Sequence, residues 1–197
     1  ILGLVKPSSG NIFVNDVKLN GIFSYRENIG YMPQVASFPE NLTVVEVLNL
    51  IKEIRKSAGG LDEELIELFN LKKEYDKRVK NLSGGTKQKA GILLGLLFDP
   101  ALLIFDEPVA FLDPTASATV KEELQNQVDA GKSVLFTSHN MHEISEIADT
   151  LIYFLDGRIV WQGSPQKLME ETFSQNLEKA VSHLLKKHHE PYTKNLK

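Results

Sequence analysis

The stretch from Leu82 to Pro108, LSGGTKQKAGILLGLLFDPALLIFDEP, constrains this chain more than any other. It reads as a loop, a buried helix, a turn and a buried strand, with polar chemistry at both ends. Ser83 suits a helix N-cap, and Gly84 and Gly85 leave backbone amides bare of side chains where the helix begins, which is an anion-binding geometry. Ala90, Leu93, Leu94, Leu97 and Phe98 recur at helical spacing, while Gly91 and Gly95 form a second face that permits close backbone approach. A helix this apolar is expected to be buried. Asp99-Pro100 stops it, and Leu102 to Phe105 is then a short continuous apolar run of the kind a central parallel strand carries. Asp106 and Glu107 follow at its carboxyl end, where open α/β sheets bind their ligands.

The segments on either side fit an alternating α/β chain. Ile1 to Leu4 looks like the last turn of a helix. Ile12 to Val14 and Val17 to Leu19 read as two antiparallel strands joined by a turn at Asn15-Asp16, and Ile29 to Met32 as a further strand closed by Pro33-Gln34. From Thr43 the apolar period changes from two to 3.6: Val44, Val47, Leu48, Ile51 and Ile54 share a face, and Thr43 with Glu46 makes a capping box. Ser57 to Gly60 is a linker. A second helix starts at Asp62 with Leu65, Leu68 and Phe69 inward. Asp113-Pro114 opens another helix that Gly131 stops, and Ser133 to Thr137 is the next strand, ending in Ser138-His139-Asn140. A short helix from Met141 to Ala148 precedes Leu151 to Leu155, which turns at Asp156-Gly157 into Arg158 to Trp161. Beyond Pro165 the chain is helical, with Leu177, Ala180, Val181, Leu184 and Leu185 in one stripe before a basic tail containing His183, His188 and His189. Strands alternating with helices argue for a doubly wound sheet.

Composition narrows the function. A net charge of -4 and a pI near 5.8 give no electrostatic footprint for nucleic acid. The chain has no cysteine, which removes disulfides, thiolate metal sites and thiol nucleophiles and suits a reducing compartment. The apolar runs fall far short of the ~20 residues a membrane span needs, so any membrane role is expected to be peripheral.

LSGGTKQ at 82 to 88, LLIFDEP at 102 to 108, FLDP at 111 to 114 and TSHN at 137 to 140 resemble, in order and spacing, the signature, Walker B, D-loop and switch-histidine motifs of ATP-binding cassette ATPases, and Gln34 in YMPQ matches the Q-loop position. The resemblance covers Ile1 to Leu168. It implies a P-loop NTPase (RecA-like) α/β fold, a doubly wound sheet with an antiparallel β piece and a helical subdomain. The divisions it implies are an N-terminal remainder at 1–36, a helical subdomain at 37–81, a RecA-like core at 82–165 and a C-terminal helix and tail at 166–197. The cofactors it implies are ATP and Mg²⁺. By resemblance Asp106 holds the Mg²⁺, Gln34 touches metal and water, and Glu107 is the base that orients the attacking water. His139 contacts the γ-phosphate. Ser83, Gly84 and Gly85 close over ATP bound to a second ATPase subunit, identical or related, and Asp113 reports across that dimer. The implied partners are that second subunit and membrane permease subunits. The expected location is cytoplasmic, peripheral on the inner face of the cell membrane, with no nucleic-acid partner and no direct insertion.

Taken singly, Ser83 and Asp113 are ordinary N-caps, His139 an ordinary surface histidine and Gln34 unremarkable; capping and catalysis are compatible, and it is the ordered set that points to a site. Three departures stand out. Thr86 replaces a Gln common in the signature. Val109 and Phe111 stand where many relatives have Thr and Gly. No G-x-x-x-x-G-K-[ST] occurs, so the phosphate-cradling amides and lysine are missing and the chain is expected to be an N-terminally truncated form that binds ATP weakly or not at all alone. The compact helical insert favours a transporter ATPase, and the tracts YMPQVASFPENLTVVEVL and LSGGTKQK resemble the copper-processing, nitrous-oxide-reductase maturation type as well as multidrug exporters. The alternatives are a soluble, permease-free ATPase of the same family and a non-catalytic docking fragment.

Overall fold

The computed structural model describes residues 1–14, 16–19, 21, 23–56 and 62–189, the side chains of 188 and 189 excepted. The turn residue Asn15, the linker at 57–60, the side chains of His188 and His189 and the tail beyond them lie outside the described residues. The chain divides into two compact units, Ile1–Thr137 and Ser138–Lys197.

The first unit begins with a small antiparallel pair, β1 (Phe13–Val14) and β2 (Val17–Lys18). Leu19 N–H donates to the Ile12 carbonyl at 2.9 Å and extends it. Asp16 has φ 61°, the left-handed conformation that a tight turn between paired strands requires. Ile1 to Leu4 are not helical. Gly3 has φ 68°, outside the right-handed helical region, and the Ile1 carbonyl accepts from the Tyr25 hydroxyl at 2.7 Å instead of from a helical N–H.

β3 (Ile29–Met32) leads to the helices α1 (Val44–Ile54) and α2 (Glu63–Leu68). The capping box forms as its residues demand: Glu46 N–H donates to Thr43 Oγ1 at 3.3 Å, and Thr43 N–H to Glu46 Oε2 at 2.7 Å. Val44, Val47 and Leu48 are buried, whereas Ile54 is exposed. In α2 it is Ile66 and Phe69 that are buried, and Leu68 lies outside. With Asp62 as the N-cap, the six-residue helix turns Ile66 inward, and Leu68 stands about 200° away from it. At the end of α1 the Arg55 guanidinium donates to the carbonyls of Glu27 at 3.0 Å and Ile29 at 3.2 Å, tying the helical segment to the start of β3.

α3 (Gly84–Leu96), β4 (Leu102–Asp106), α4 (Pro114–Asp129) and β5 (Ser133–Thr137) complete the unit. The sheet is parallel in the order β3-β4-β5, with Ile29 opposite Leu102 and Asp106 opposite Thr137. β4 is thus the central strand. Its run is not buried on both sides, however: Leu103 and Phe105 are buried, whereas Leu102 and Ile104 are only half-buried. The alternation follows from the pleat, since α3 covers the face of Gly30, Met32, Leu103 and Phe105 while the other face carries Tyr31, Ile104 and Leu135.

Helix and sheet approach closely because glycines let them. A Cβ on Gly30 would lie 2.0 Å from the Gly95 carbonyl oxygen, and one on Gly95 would lie 2.5 Å from Cε1 of Phe105. Gly91 lies against Met32 and Ala36. α3 is buried on nearly its whole circumference, as its composition implies.

The second unit contains α5 (Met141–Ile147), the antiparallel hairpin β6 (Leu151–Leu155) and β7 (Arg158–Gly163), α6 (Pro165–Glu171) and α7 (Leu177–His189). The stripe Leu177, Ala180, Val181 and Leu184 is its buried core, packed on α5 and α6. No helix among the described residues is long and apolar enough to cross a membrane.

Two helix caps make the first unit acid-sensitive. The Thr43 backbone N–H holds the Glu46 carboxyl below its ordinary range, and the Ala116 N–H does the same for Asp113. A depressed folded-state pKa stabilises the native state above the unfolded pKa and is lost as pH falls through the folded one. Thermal unfolding is therefore expected to be flat near neutrality and to drop below about pH 4. In the double variant Glu46→Gln, Asp113→Asn the drop should shrink; an unchanged acid limb would contradict this assignment.

Candidate functional site

The register of the parallel sheet builds the site. Asp106 and Thr137 are opposite one another at the carboxyl ends of β4 and β5, and the Thr137 hydroxyl donates to Asp106 Oδ1. The chain then turns sharply. Glu107 has φ 50°, an uncommon conformation for a non-glycine residue, and its N–H is shared between the Thr137 carbonyl and hydroxyl oxygens, both at 3.1 Å. From the other side Gln88 of α3 donates its amide to the carbonyls of Glu107 at 2.8 Å and Pro108 at 3.2 Å. The main chain of Glu107 is thus held at its N–H and at its carbonyl, where a left-handed backbone would otherwise be costly.

The start of α3 has its own geometry. Ser83 Oγ accepts the Thr86 N–H at 3.1 Å and lies 2.8 Å from Thr86 Oγ1. The Thr86 hydroxyl thus helps hold the Ser83 side chain at the helix start. Space beside Gly84 is open, and a Cβ on Gly85 would come within 3.0 Å of the Phe111 carbonyl oxygen. The loop after β4 is thereby laid against the first turn of α3. Phe111 has φ 63°, the region glycine enters freely, and the residue is 75% exposed. Asp113 caps α4 by accepting the Ala116 N–H at 2.9 Å, and that bond, ahead of the charge of Lys89 on α3, lowers its pKa.

Of the residues singled out in the sequence, the structure brings Asp106 and Glu107 together at one strand end. It sets Ser83, Gly84 and Gly85 at the start of the helix whose Gln88 bonds that same turn, with the loop that leads to Asp113 against the first turn of the helix. Gln34 is exposed, two residues past the carboxyl end of β3. His139 belongs to the second unit, where it is exposed and lines a cleft of about 570 Å³ together with Met141, His142, Leu177 and Val181. Gln88 and Thr137 carry no role in the sequence reading. The available signals are an amide at helical spacing with Gly91, Ile92 and Gly95 on the buried side of α3, and a hydroxyl at the carboxyl end of the next strand.

No group of three or more His, Asp or Glu side chains forms a metal cage among the described residues. Mg²⁺ needs none: it prefers oxygen donors, keeps several waters and is held through one or two carboxylates together with substrate phosphates. The half-buried Asp106 carboxylate, oriented by Thr137, fits that donor set.

The sequence profile of the ABC transporter family matches residues 1–110. The chain is 32% identical over 174 residues to the carnitine transport ATP-binding protein OpuCA of Listeria monocytogenes, covering 84% of this chain and 44% of that protein. It is 31% identical over 179 residues to the lipopolysaccharide export system ATP-binding protein LptB of Haemophilus influenzae, covering 87% and 74%. The ATP-binding subunit of an ABC transporter superimposes with a TM-score of 0.84 at 26% identity, over 94% of this chain and 80% of that one. A dimeric ATP-binding cassette in a post-hydrolysis state with ADP and phosphate shares the fold, with a TM-score of 0.73 at 22% identity over 82% and 75%. The chain spans about half the length of the first curated relatives it matches.

Proposed function

The chain belongs to the ABC transporter ATP-binding family, and on that premise we propose that it works in the ATP-hydrolysing subunit of a transporter, driving a membrane permease through ATP-dependent closure of two such subunits. The observation that carries this reading is the pairing of two adjacent carboxylates at the end of a central parallel strand with a main chain pinned from both sides, as a base of fixed position requires.

Phosphoryl transfer to water asks a protein to position and to stabilise charge more than to make bonds. Glu107 is the group that accepts the proton of the attacking water. Asp106 is the carboxylate that would hold Mg²⁺, and Gln34, past the carboxyl end of the neighbouring strand β3, would touch metal and water; the ion would supply positive charge to the phosphate oxygens. His139 supplies a donor to the γ-phosphate from the segment after β5. Ser83, Gly84 and Gly85 present an N-terminal helix turn to the nucleotide of the second subunit, and Asp113, at the end of the loop against Gly85, reads that subunit's position. The helical segment 37–81 follows Gln34 in the chain and is tied to β3 through Arg55, which suits it to carry the nucleotide state to a permease on the inner face of the membrane. Among transporter types, the tracts around Gln34 and Ser83 favour the copper-processing maturation type.

The metal assignment has a direct test. In a polypeptide carrying a G-x-x-x-x-G-K-[ST] loop ahead of Ile1, Asp106→Asn is expected to raise the Mg²⁺ concentration for half-maximal ATP turnover by about tenfold or more, the scale of losing one charged ligand interaction. The same Mg²⁺ dependence in parent and variant would remove Asp106 from the metal site.

A further inference from the structure

Among the described residues Gln88 is one of two buried polar or charged side chains, 3% exposed on a helix whose other buried positions are Ala, Gly, Ile and Leu. Its side chain does not cap its own helix. It crosses to the main chain leaving β4, donating to two successive carbonyls, Glu107 at 2.8 Å and Pro108 at 3.2 Å. Those carbonyls flank the turn in which Glu107 adopts φ 50°. A primary amide has two N–H groups, so one side chain can serve both acceptors.

We propose that Gln88 is a positioning residue for hydrolysis. It locks the left-handed turn that aims Glu107 and makes that turn move with α3, the helix that begins at Ser83. A displacement of the Ser83 end is then felt at the base through one side chain rather than through the sheet. The covalent path from Ser83 to Glu107 is 24 residues, whereas Gln88 lies five residues from Ser83 and bonds Glu107 directly. The proposal rests on the reading of Glu107 as the base.

The test uses Gln88→Met, which keeps length and fills the space without a donor, beside Glu107→Gln. In the chain as it stands, amide hydrogen exchange is expected to quicken at least tenfold at Ala110, whose N–H closes this turn on the Glu107 carbonyl, and at Glu107, whose N–H ties the turn to Thr137, and to stay unchanged at Leu103 and Val134 in the strands. In the polypeptide with a P-loop ahead of Ile1, kcat per bound nucleotide should fall about tenfold to a hundredfold with KM for ATP within twofold of the parent. A variant that is merely less stable would lower the amount of folded protein and leave kcat per bound nucleotide intact. Unchanged exchange at Glu107 or unchanged kcat per bound nucleotide overturns the positioning role. If Glu107→Gln keeps full turnover while Gln88→Met still frees the Glu107 amide, the reading of Glu107 has failed and the structural clamp stands; the positioning role in hydrolysis is then overturned with it.

Discussion

Gly30→Ala is expected to destabilise the first unit by about 3 kcal/mol or more. The strand φ at Gly30 is not in the left-handed region, so alanine faces no backbone restriction there. In an open strand, replacing Gly would gain about 0.5–1 kcal/mol of chain entropy. Packing reverses the sign. The new Cβ would stand 2.0 Å from the Gly95 carbonyl oxygen and 2.8 Å from both Leu103 Cδ2 and Pro100 Cγ. The first contact is backbone of a buried helix and cannot swing aside, so α3 must lift from the sheet and take Ser83 and Gln88 with it. Gly91→Ala is the informative control: its Cβ would meet Ala36 Cβ at 3.1 Å and Met32 Cγ at 3.3 Å, contacts that are tight but ask the neighbours to shift by far less than the Gly30 contact does. Thermal unfolding should show Gly30→Ala lower by roughly 6–12 °C, at about 2–4 °C per kcal/mol for a chain of this size, with Gly91→Ala much closer to the parent. Equal midpoints for Gly30→Ala and the parent would contradict the helix-to-sheet packing described above.

The contact that makes Gly30 critical shows what the sequence could and could not disclose. Gly91 and Gly95 were legible as a close-approach face because helical spacing puts them on one side. Their partner Gly30 was legible only as a glycine in a strand, since which strand lies beneath α3 is decided by tertiary order. The parallel run Leu102 to Phe105, the caps at Thr43, Ser83, Asp62 and Asp113, and the hairpin at Asp156-Gly157 follow from local chemistry and are present in the structure. The burial of Ile66 in place of Leu68 was not legible, because a six-residue helix has too few turns for periodicity to fix its phase. Gln88 and Thr137 escaped for a related reason. Each acts through a partner distant in sequence, Glu107 and Asp106, and only the sheet register and helix packing bring them together.

Glu107→Gln is the second large effect. Glutamine has nearly the same shape and can keep the φ 50° turn and its bonds to Thr137 and Gln88, all of which involve the main chain of residue 107. What it loses is the ability to take a proton, worth about 10²–10⁴ in rate for a positioned general base. It also removes one negative charge beside the place where triphosphate would lie, so nucleotide affinity should hold or rise. Loss of turnover with retained binding is therefore the signature of a missing base, whereas loss of both would indicate a collapsed site.

The most direct test of the account is single-turnover ATP hydrolysis alongside equilibrium ATP binding, for the parent and Glu107→Gln polypeptides, each carrying a G-x-x-x-x-G-K-[ST] loop ahead of Ile1. The expected result is hydrolysis slowed at least about a hundredfold in Glu107→Gln with ATP bound at least as tightly. Equal single-turnover rates in the two proteins would contradict the assignment of Glu107 as the base and, with it, the reading of this strand end as an ATP-hydrolysing centre.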